Sequence, residues 1–109
     1  LSTPSLTVDN YTKLGSTAPA IKMKKLTGTA PAEGAVVNLS HGLTLSKIIG
    51  FQVFITADNS YKIPPEFSSI ADYNYSVFVK TSDVEVRLAA ADSANINGNA
   101  VTVLITYEE

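Results

Sequence analysis

Hydrophobic and polar residues alternate with a period of two along most of this chain after residue 20. The clearest run is 47–56, in which Ile49, Phe51, Val53 and Ile55 share one phase. Because successive side chains of a β-strand point to opposite sides, this run predicts a strand whose wholly apolar face enters the core. The other face is mixed, so we expect it to contact another sheet or another chain. It holds Ile48, Gly50, Gln52 and Phe54.

The same alternation predicts a series of short strands separated by residues that favour turns. The predicted strands span 21–27, 35–39, 47–56, 73–79, 84–88 and 100–109. Two of them form a hairpin around the turn at 81–83, and Pro64 and Pro65 end a short extended piece before them. We expect one helical turn within 64–73 and no longer helix. This arrangement predicts an all-β fold, an antiparallel β-sandwich of jelly-roll-like form.

Residues 1–20 differ from the rest because Ser, Thr, Pro and Gly dominate them. They predict an extended N-terminal arm or linker with one short strand at Ser5–Asn10, followed by the sandwich domain over residues 21–109. The chain starts at Leu1 rather than methionine, which is compatible with a fragment or a processed product. No apolar stretch reaches the roughly 20 residues that cross a bilayer, so we expect no membrane insertion.

Composition narrows the classes of partner. The chain has 109 residues and a formal net charge of −2, without the basic surface that phosphate backbones require, so we expect no nucleic-acid partner. It has no cysteine and one histidine, which leaves no ligand set for a zinc site. We therefore expect no metal and no cofactor.

His41 is the one candidate for acid–base chemistry that the sequence singles out. Serine and aspartate are available for a catalytic triad, but no Gly-x-Ser-x-Gly nucleophile motif exists in the chain. The alternative is a turn in which the imidazole bonds to nearby backbone and Gly42 takes a positive φ. Asp83 and Glu85 lie on one face of a predicted strand with Arg87, which is typical of a solvated face. We favour a protein that is not an enzyme.

Aromatic residues are the feature most suggestive of binding. Tyr61, Phe67, Tyr73 and Tyr75 flank the turn that contains Asn59 and the Pro-Pro loop. Amphipathic aromatics suit contacts with proteins or sugars, because they bury a large area and keep a polar tip. Tyrosines at strand ends are equally ordinary in sandwich packing, so both interpretations stay open. On the first interpretation, the candidate receptor-binding residues are Asn59, Tyr61, Phe67 and Tyr73.

Much of the chain resembles small domains at the ends of bacteriophage tail-fibre and related virion-fibre proteins. The resemblance covers 21–109 and rests on "VNLSHGLTLSKIIGFQVFI", "YNYSVFVKTSDVEVRL" and "ANINGNAVTVLITYEE". In those domains a His-Gly turn leads into a Lys-Ile-Ile strand, then a Pro-Pro loop, a Tyr-x-Tyr strand and an Ile-Thr-Tyr-Glu ending. The matching positions here are His41-Gly42, Lys47-Ile48-Ile49, Pro64-Pro65, Tyr73 with Tyr75, and Ile105-Thr106-Tyr107-Glu108.

The resemblance implies a β-sandwich in a homotrimer, displayed on an extracellular virion beside other virion proteins. It also implies attachment to a glycan or protein of the host surface. Ile48 and Phe54 are then candidate oligomer contacts, because a lone sandwich would expose them. The alternative is a secreted or surface bacterial adhesin or carbohydrate-binding module that acts as a monomer. A small hydrolase that uses His41 is the third hypothesis.

Overall fold

The computed structural model describes residues 4–109, and antiparallel strands make up nearly all of its regular structure. The strands are β1 (Thr12–Lys13), β2 (Ala20–Thr29), β3 (Val36–Ser40), β4 (Ile48–Thr56), β5 (Lys62–Ile63), β6 (Tyr75–Val79), β7 (Asp83–Leu88) and β8 (Ala100–Glu108). A single 3₁₀ turn at Leu45–Lys47 precedes β4. The predicted all-β, sandwich-like fold is confirmed.

Two sheets form the sandwich. The larger has five strands in the order β1-β2-β8-β4-β5, and the smaller has three in the order β3-β7-β6. The consecutive strands β2 and β3 lie in different sheets and pair with β8 and β7, which are also consecutive. This nested pairing folds one long double ribbon over itself, as in a jelly roll.

The core lies between the sheets and is filled by alternating residues of the long strands. Val84, Val86 and Leu88 of β7 face Val101, Val103 and Ile105 of β8, and all six are buried. The buried Tyr75 donates its hydroxyl hydrogen to the backbone oxygen of Ile63, which ties β6 to β5. The alternation that predicted these strands therefore also sets which side chains leave water.

A β-bulge in β4 changes the predicted faces of that strand. Ile48 pairs with Tyr107, but Gly50 pairs with Thr106, so Ile49 is an extra residue between them. The bulge places Ile48 against the core, whereas Phe54, opposite Thr102, lies on the outer face. The expectation that Ile48 and Phe54 share one face is therefore wrong.

The same bulge explains a second departure from the predicted pattern. Val53 and Ile55 are buried as expected, but Ile49 is 47% exposed and Phe51 is 43% exposed. Ile49 is the bulged residue, and on the side of β4 away from β8 no strand pairs with this half of β4 among the described residues. An apolar face enters the core only where a second layer and a neighbouring strand cover it.

The expected helical turn within 64–73 is also absent from the structure, which shows turns and bends there. Glu66 has a φ of 62° and Asp72 a φ of 75°, and such left-handed residues interrupt a right-handed helix. The Glu66 N–H instead donates to the Tyr75 backbone oxygen. The segment thus runs as an irregular loop between β5 and β6.

The N-terminal arm joins the larger sheet through β1, which pairs with Ala20 and Ile21 of β2. The short strand expected at Ser5–Asn10 is not formed, and residues 4–9 lie outside all strands. Leu1 to Thr3, which also belong to the expected arm, lie outside the described residues.

The connections gather at two ends of the sandwich. The loop end comprises residues 30–35, 57–61, 64–74 and 89–99, which are joined by backbone hydrogen bonds. The opposite end holds the turn around His41 and the C-terminal Glu109, whose N–H donates to the Ala20 oxygen. The arm and the chain terminus therefore lie at one end, and the longest loops lie at the other.

Candidate functional site at the loop end

The four candidate receptor-binding residues form one continuous cluster at the loop end, which we call the aromatic–amide cluster: Asn59, Tyr61, Phe67 and Tyr73. The Asn59 Oδ1 accepts a hydrogen bond from the Tyr61 backbone N–H at 3.1 Å, and its Nδ2 donates to the Tyr73 hydroxyl at 3.5 Å. The Phe67 and Tyr73 rings meet edge to face with centroids 6.3 Å apart. Residues up to 14 positions apart in the sequence thus form one surface.

Burial separates the roles of the aromatic rings. Phe67 and Tyr73 are half-buried and pack against the core, whereas Tyr61 is 69% exposed. Ser60, directly before it, has a φ of 72°, so the chain turns sharply there. The packing interpretation therefore describes Phe67 and Tyr73, and Tyr61 is presented to solvent by a turn that Asn59 braces.

A shallow cavity of about 260 Å³ opens between Glu66, the residue before Phe67, and the β6–β7 ladder. Polar groups of Glu66, Asn74, Ser76 and Arg87 surround a floor that includes Ala89 and Ala90. Carboxylate, amide, hydroxyl and guanidinium groups around a small apolar floor suit a hydroxyl-rich or peptide-like ligand. The aromatic–amide cluster therefore has a polar groove beside it.

Asn99 is a structural residue of this end that sequence reasoning missed. Its Nδ2 lies 2.9 Å from the Thr56 oxygen, 2.8 Å from Asp58 Oδ1 and 3.2 Å from the Asn95 oxygen. Its own backbone oxygen accepts from the Ala30 N–H at 2.7 Å. The Asn-rich stretch 95–99 was the available signal, but it predicted only a loop.

The loop end is acidic by sequence and carries no lysine or arginine within its four loops. Its acidic residues are Glu33, Asp58, Glu66, Asp72 and Asp92. Several are held in the network, since Asp92 Oδ1 accepts from the Asp72 N–H and Glu33 Oε2 from the Ser93 N–H. Among residues 4–109, no group of three or more histidine or acidic side chains is placed to hold a metal ion.

His41 lies at the opposite end, and its geometry is that of the predicted turn. The ring is fully buried, its Nδ1 accepts from the Leu43 N–H at 3.0 Å, and its Nε2 lies 2.9 Å from the Lys80 oxygen. Gly42 has a φ of 65°, as the turn requires. Because backbone groups occupy both ring nitrogens, neither is free to take a proton from a nucleophile.

Glu85 departs from the solvated face that the sequence predicted. It is buried on the outer side of the smaller sheet, with Arg87 Nη2 at 2.9 Å and Lys80 Nζ at 3.2 Å from its carboxylate oxygens. The hydrogen bond from Arg87 is the largest cause that lowers the pKa of Glu85; burial opposes it, and Lys80 adds to it. Glu85 therefore belongs to an ion-pair network with Lys80 and Arg87.

Comparisons with known proteins found no matching family model, no similar curated protein and no similar solved structure. Within residues 4–109, the structure contains no helix of the length and apolar character needed to cross a membrane.

Proposed function

We propose that this chain is a structural domain of a virion fibre that attaches to a component of the host-cell surface through its loop end. The observation that carries the proposal is the aromatic–amide cluster, in which Asn59 braces an exposed Tyr61 beside the packed Tyr73. A rigid, exposed aromatic residue binds a partner with little loss of conformational entropy. The loop end is therefore suited to recognition.

The chemistry around the cluster favours a neutral or cationic polar ligand, such as a glycan or a polar segment of a surface protein. Tyr61 provides a flat apolar ring, and the groove beside Glu66 provides hydrogen-bonding groups. The five acidic side chains of the loops disfavour strongly anionic ligands. The arm lies near the other end, which leaves the loop end unobstructed.

The proposed fibre domain is a homotrimer. The outer face of the larger sheet carries the exposed Met23 and the half-exposed Phe54 and Leu104, an apolar surface for contact between copies. Three copies present three loop ends, and several weak sites that act together bind a surface by avidity. Ile48 packs inside its own sandwich, so Phe54 is the better candidate for an outer-face contact.

Tyr61→Ala tests the attachment function. Fluorescently labelled protein is applied to a panel of bacterial cells and to a glycan array, and bound protein is measured against concentration. We expect Tyr61→Ala to weaken binding by at least about tenfold, as for the loss of an aromatic anchor. Phe78→Ala removes an aromatic that is also exposed, on the outer face of the smaller sheet, and should leave binding unchanged. Equal binding by the parent and Tyr61→Ala would contradict the proposal.

A monomeric adhesin or carbohydrate-binding module is the second candidate. It is favoured by the fact that one chain supplies every residue of the aromatic–amide cluster and of the groove. Light scattering at low micromolar concentration separates the two candidates. A stable trimer supports the fibre domain, and a monomer supports the module.

A further inference from the structure

The larger sheet has an open edge that the fold itself explains. β5 pairs only with Ile55 and Thr56 of β4, so β4 residues 49–54 have no strand partner on that side within the described chain. β5 is short because Pro64 and Pro65 follow Ile63, and proline has no N–H to donate to a ladder. A place for about one strand is therefore left beside the first half of β4.

Apolar side chains line this place. A cavity of about 260 Å³ runs between the start of β4 and the end of β6, and we call it the open seam. It is lined by Leu45, Ile48, Ile49, Gly50, Phe51 and Val79. Neither β4 nor β6, the strands that border it, contains a charged residue. Exposed strand edges without charges or prolines pair readily with other chains, so this edge is suited to be covered.

The N-terminal arm has the complementary pattern. Leu6 and Val8 are two residues apart, so an extended arm points both to one side. In this structure they are 89% and 50% exposed, and residues 4–9 are in no strand. Residues 4–8 carry no charged side chain, as is also true of β4 and β6, which border the seam. The arm thus offers an uncharged, apolar strand to an uncharged, apolar edge.

The arm and the open seam lie at opposite edges of the same sheet. The order β1-β2-β8-β4-β5 puts three strand spacings, or roughly 14 Å, between β1 and β4. The arm edge of one copy and the seam edge of another therefore make a head-to-tail contact. Such contacts close into a ring when the rotation between copies allows it.

We infer that residues 4–10 of one copy add a strand beside β4 of a neighbouring copy, with Leu6 and Val8 filling the neighbour's open seam. The inference deepens the oligomeric part of the proposed function and rests on it. Strand addition pairs the unpartnered backbone groups of β4, and the two apolar side chains cover Ile49 and Phe51. Three copies joined in this way form a closed ring with their loop ends on the same side.

Val8→Asp tests the arm, and Thr7→Asp is its matched control because it adds the same charge on the opposite side of the arm. Light scattering across a dilution series gives the dissociation constant between copies. We expect Val8→Asp to weaken association by at least tenfold and Thr7→Asp to leave it within about threefold. Ile49→Asp tests the seam in the same way, with Val36→Asp as its control, because Val36 is an exposed apolar residue on β3, at the far edge of the smaller sheet from the seam.

A disulfide assay tests whether the arm of one copy meets the seam of another. Introduced cysteines can pair only with each other, because the parent chain has no cysteine. Under oxidising conditions the double variant Val8→Cys/Ile49→Cys should form covalent trimers on a non-reducing gel. Each single-cysteine variant can form at most dimers. Thr7→Cys/Ile49→Cys should give far less trimer, because residue 7 points away from the seam.

The outcomes separate this inference from the attachment function. Arm exchange is contradicted if Val8→Asp leaves the dissociation constant between copies unchanged. It is also contradicted if the double-cysteine variant forms its disulfide within one chain and runs as a monomer on the gel. Either result would leave the proposed trimer in place. A parent that is monomeric at every concentration would overturn arm exchange as well. Attachment is judged independently, by the effect of Tyr61→Ala on cell and glycan binding.

Discussion

His41 closes one end of the sandwich: its ring bonds to backbone groups of Leu43 and Lys80, and its own backbone oxygen accepts from Lys24 Nζ at 2.6 Å. His41→Ala leaves buried backbone groups unpaired and opens a cavity. We expect the free energy of unfolding to fall by about 2–4 kcal/mol in urea titrations. The exposed neighbour Ser40→Ala should stay within about 0.5 kcal/mol of the parent. A parent-like midpoint for His41→Ala would show that these bonds contribute little.

Glu85 makes the stability of the fold depend on pH. Because Arg87, and to a lesser degree Lys80, lower the folded-state pKa of Glu85, its ionised form stabilises the fold at neutral pH. This contribution is lost as pH falls through the folded-state pKa. We expect Glu85→Gln to be less stable than the parent at pH 7 and the difference to shrink towards pH 3, as measured by denaturant midpoints. Asp83→Asn, which removes a carboxylate without a salt bridge among residues 4–109, is the matched control for the loss of one negative charge. A difference for Glu85→Gln that does not shrink towards pH 3 would contradict this role of the ion pairs.

At the scale of elements, alternation predicted the strands that are half-buried, because such strands carry their own two-residue pattern. It could not predict the bulge at Ile49, since Ile48 and Ile49 are both apolar and nothing in the pattern marks the change of phase. The sequence also grouped Asn59 with Tyr61 and Tyr73, because aromatics surround one turn. Asn99 was missed because its partners Thr56 and Asp58 lie more than forty residues away, and such bonds leave no local pattern.

The contact between β2 and β3 depends on the absence of a side chain at Gly28. A Cβ at Gly28 would lie 2.5 Å from Leu39 Cδ2, so any side chain there must displace Leu39. We expect Gly28→Val to lower the free energy of unfolding by about 1–3 kcal/mol through overpacking. Leu39→Ala in the same chain should recover part of that loss, which a double-mutant cycle from urea unfolding measures. Thr27→Val, on the exposed face beside it, is the control, and strict additivity of Gly28→Val with Leu39→Ala would contradict this contact.

At the scale of the whole molecule, the two ends of the sandwich are built differently. The His41 end is closed by side chains that bond to backbone, and lysines predominate there: Lys24 binds the His41 oxygen and Lys47 the Glu109 oxygen at 3.0 Å. The loop end is acidic and is held by amide side chains and backbone bonds between loops. An end that is held by hydrogen bonds between loops keeps its shape only while those bonds are intact, so the proposed binding site depends on this network.

Asn99→Ala tests whether this network holds the candidate site in place. The variant removes the amide that joins the β4 end, the turn at 57–61 and the loop before β8, and it leaves the Thr56 oxygen and Asp58 with fewer donors. We expect the free energy of unfolding to fall by about 1–3 kcal/mol. Hydrogen exchange should accelerate at 57–61 and 93–98 while the centres of β7 and β8 stay protected.

Asn97→Ala is the matched control, because the Asn97 amide bonds only to the nearby Ala94 oxygen among the described residues. Cell and glycan binding should weaken in Asn99→Ala even though Tyr61 itself is unchanged. The reason is that the turn at 57–61, which carries Tyr61, loses the hydrogen bond from Asn99 to Asp58. If hydrogen exchange accelerates in Asn99→Ala but cell and glycan binding does not weaken, then binding does not depend on the order of these loops. In that case we would place the ligand contacts in the groove between Glu66 and Arg87, whose lining includes Tyr75 and Ser76 of β6 and Arg87 and Leu88 of β7.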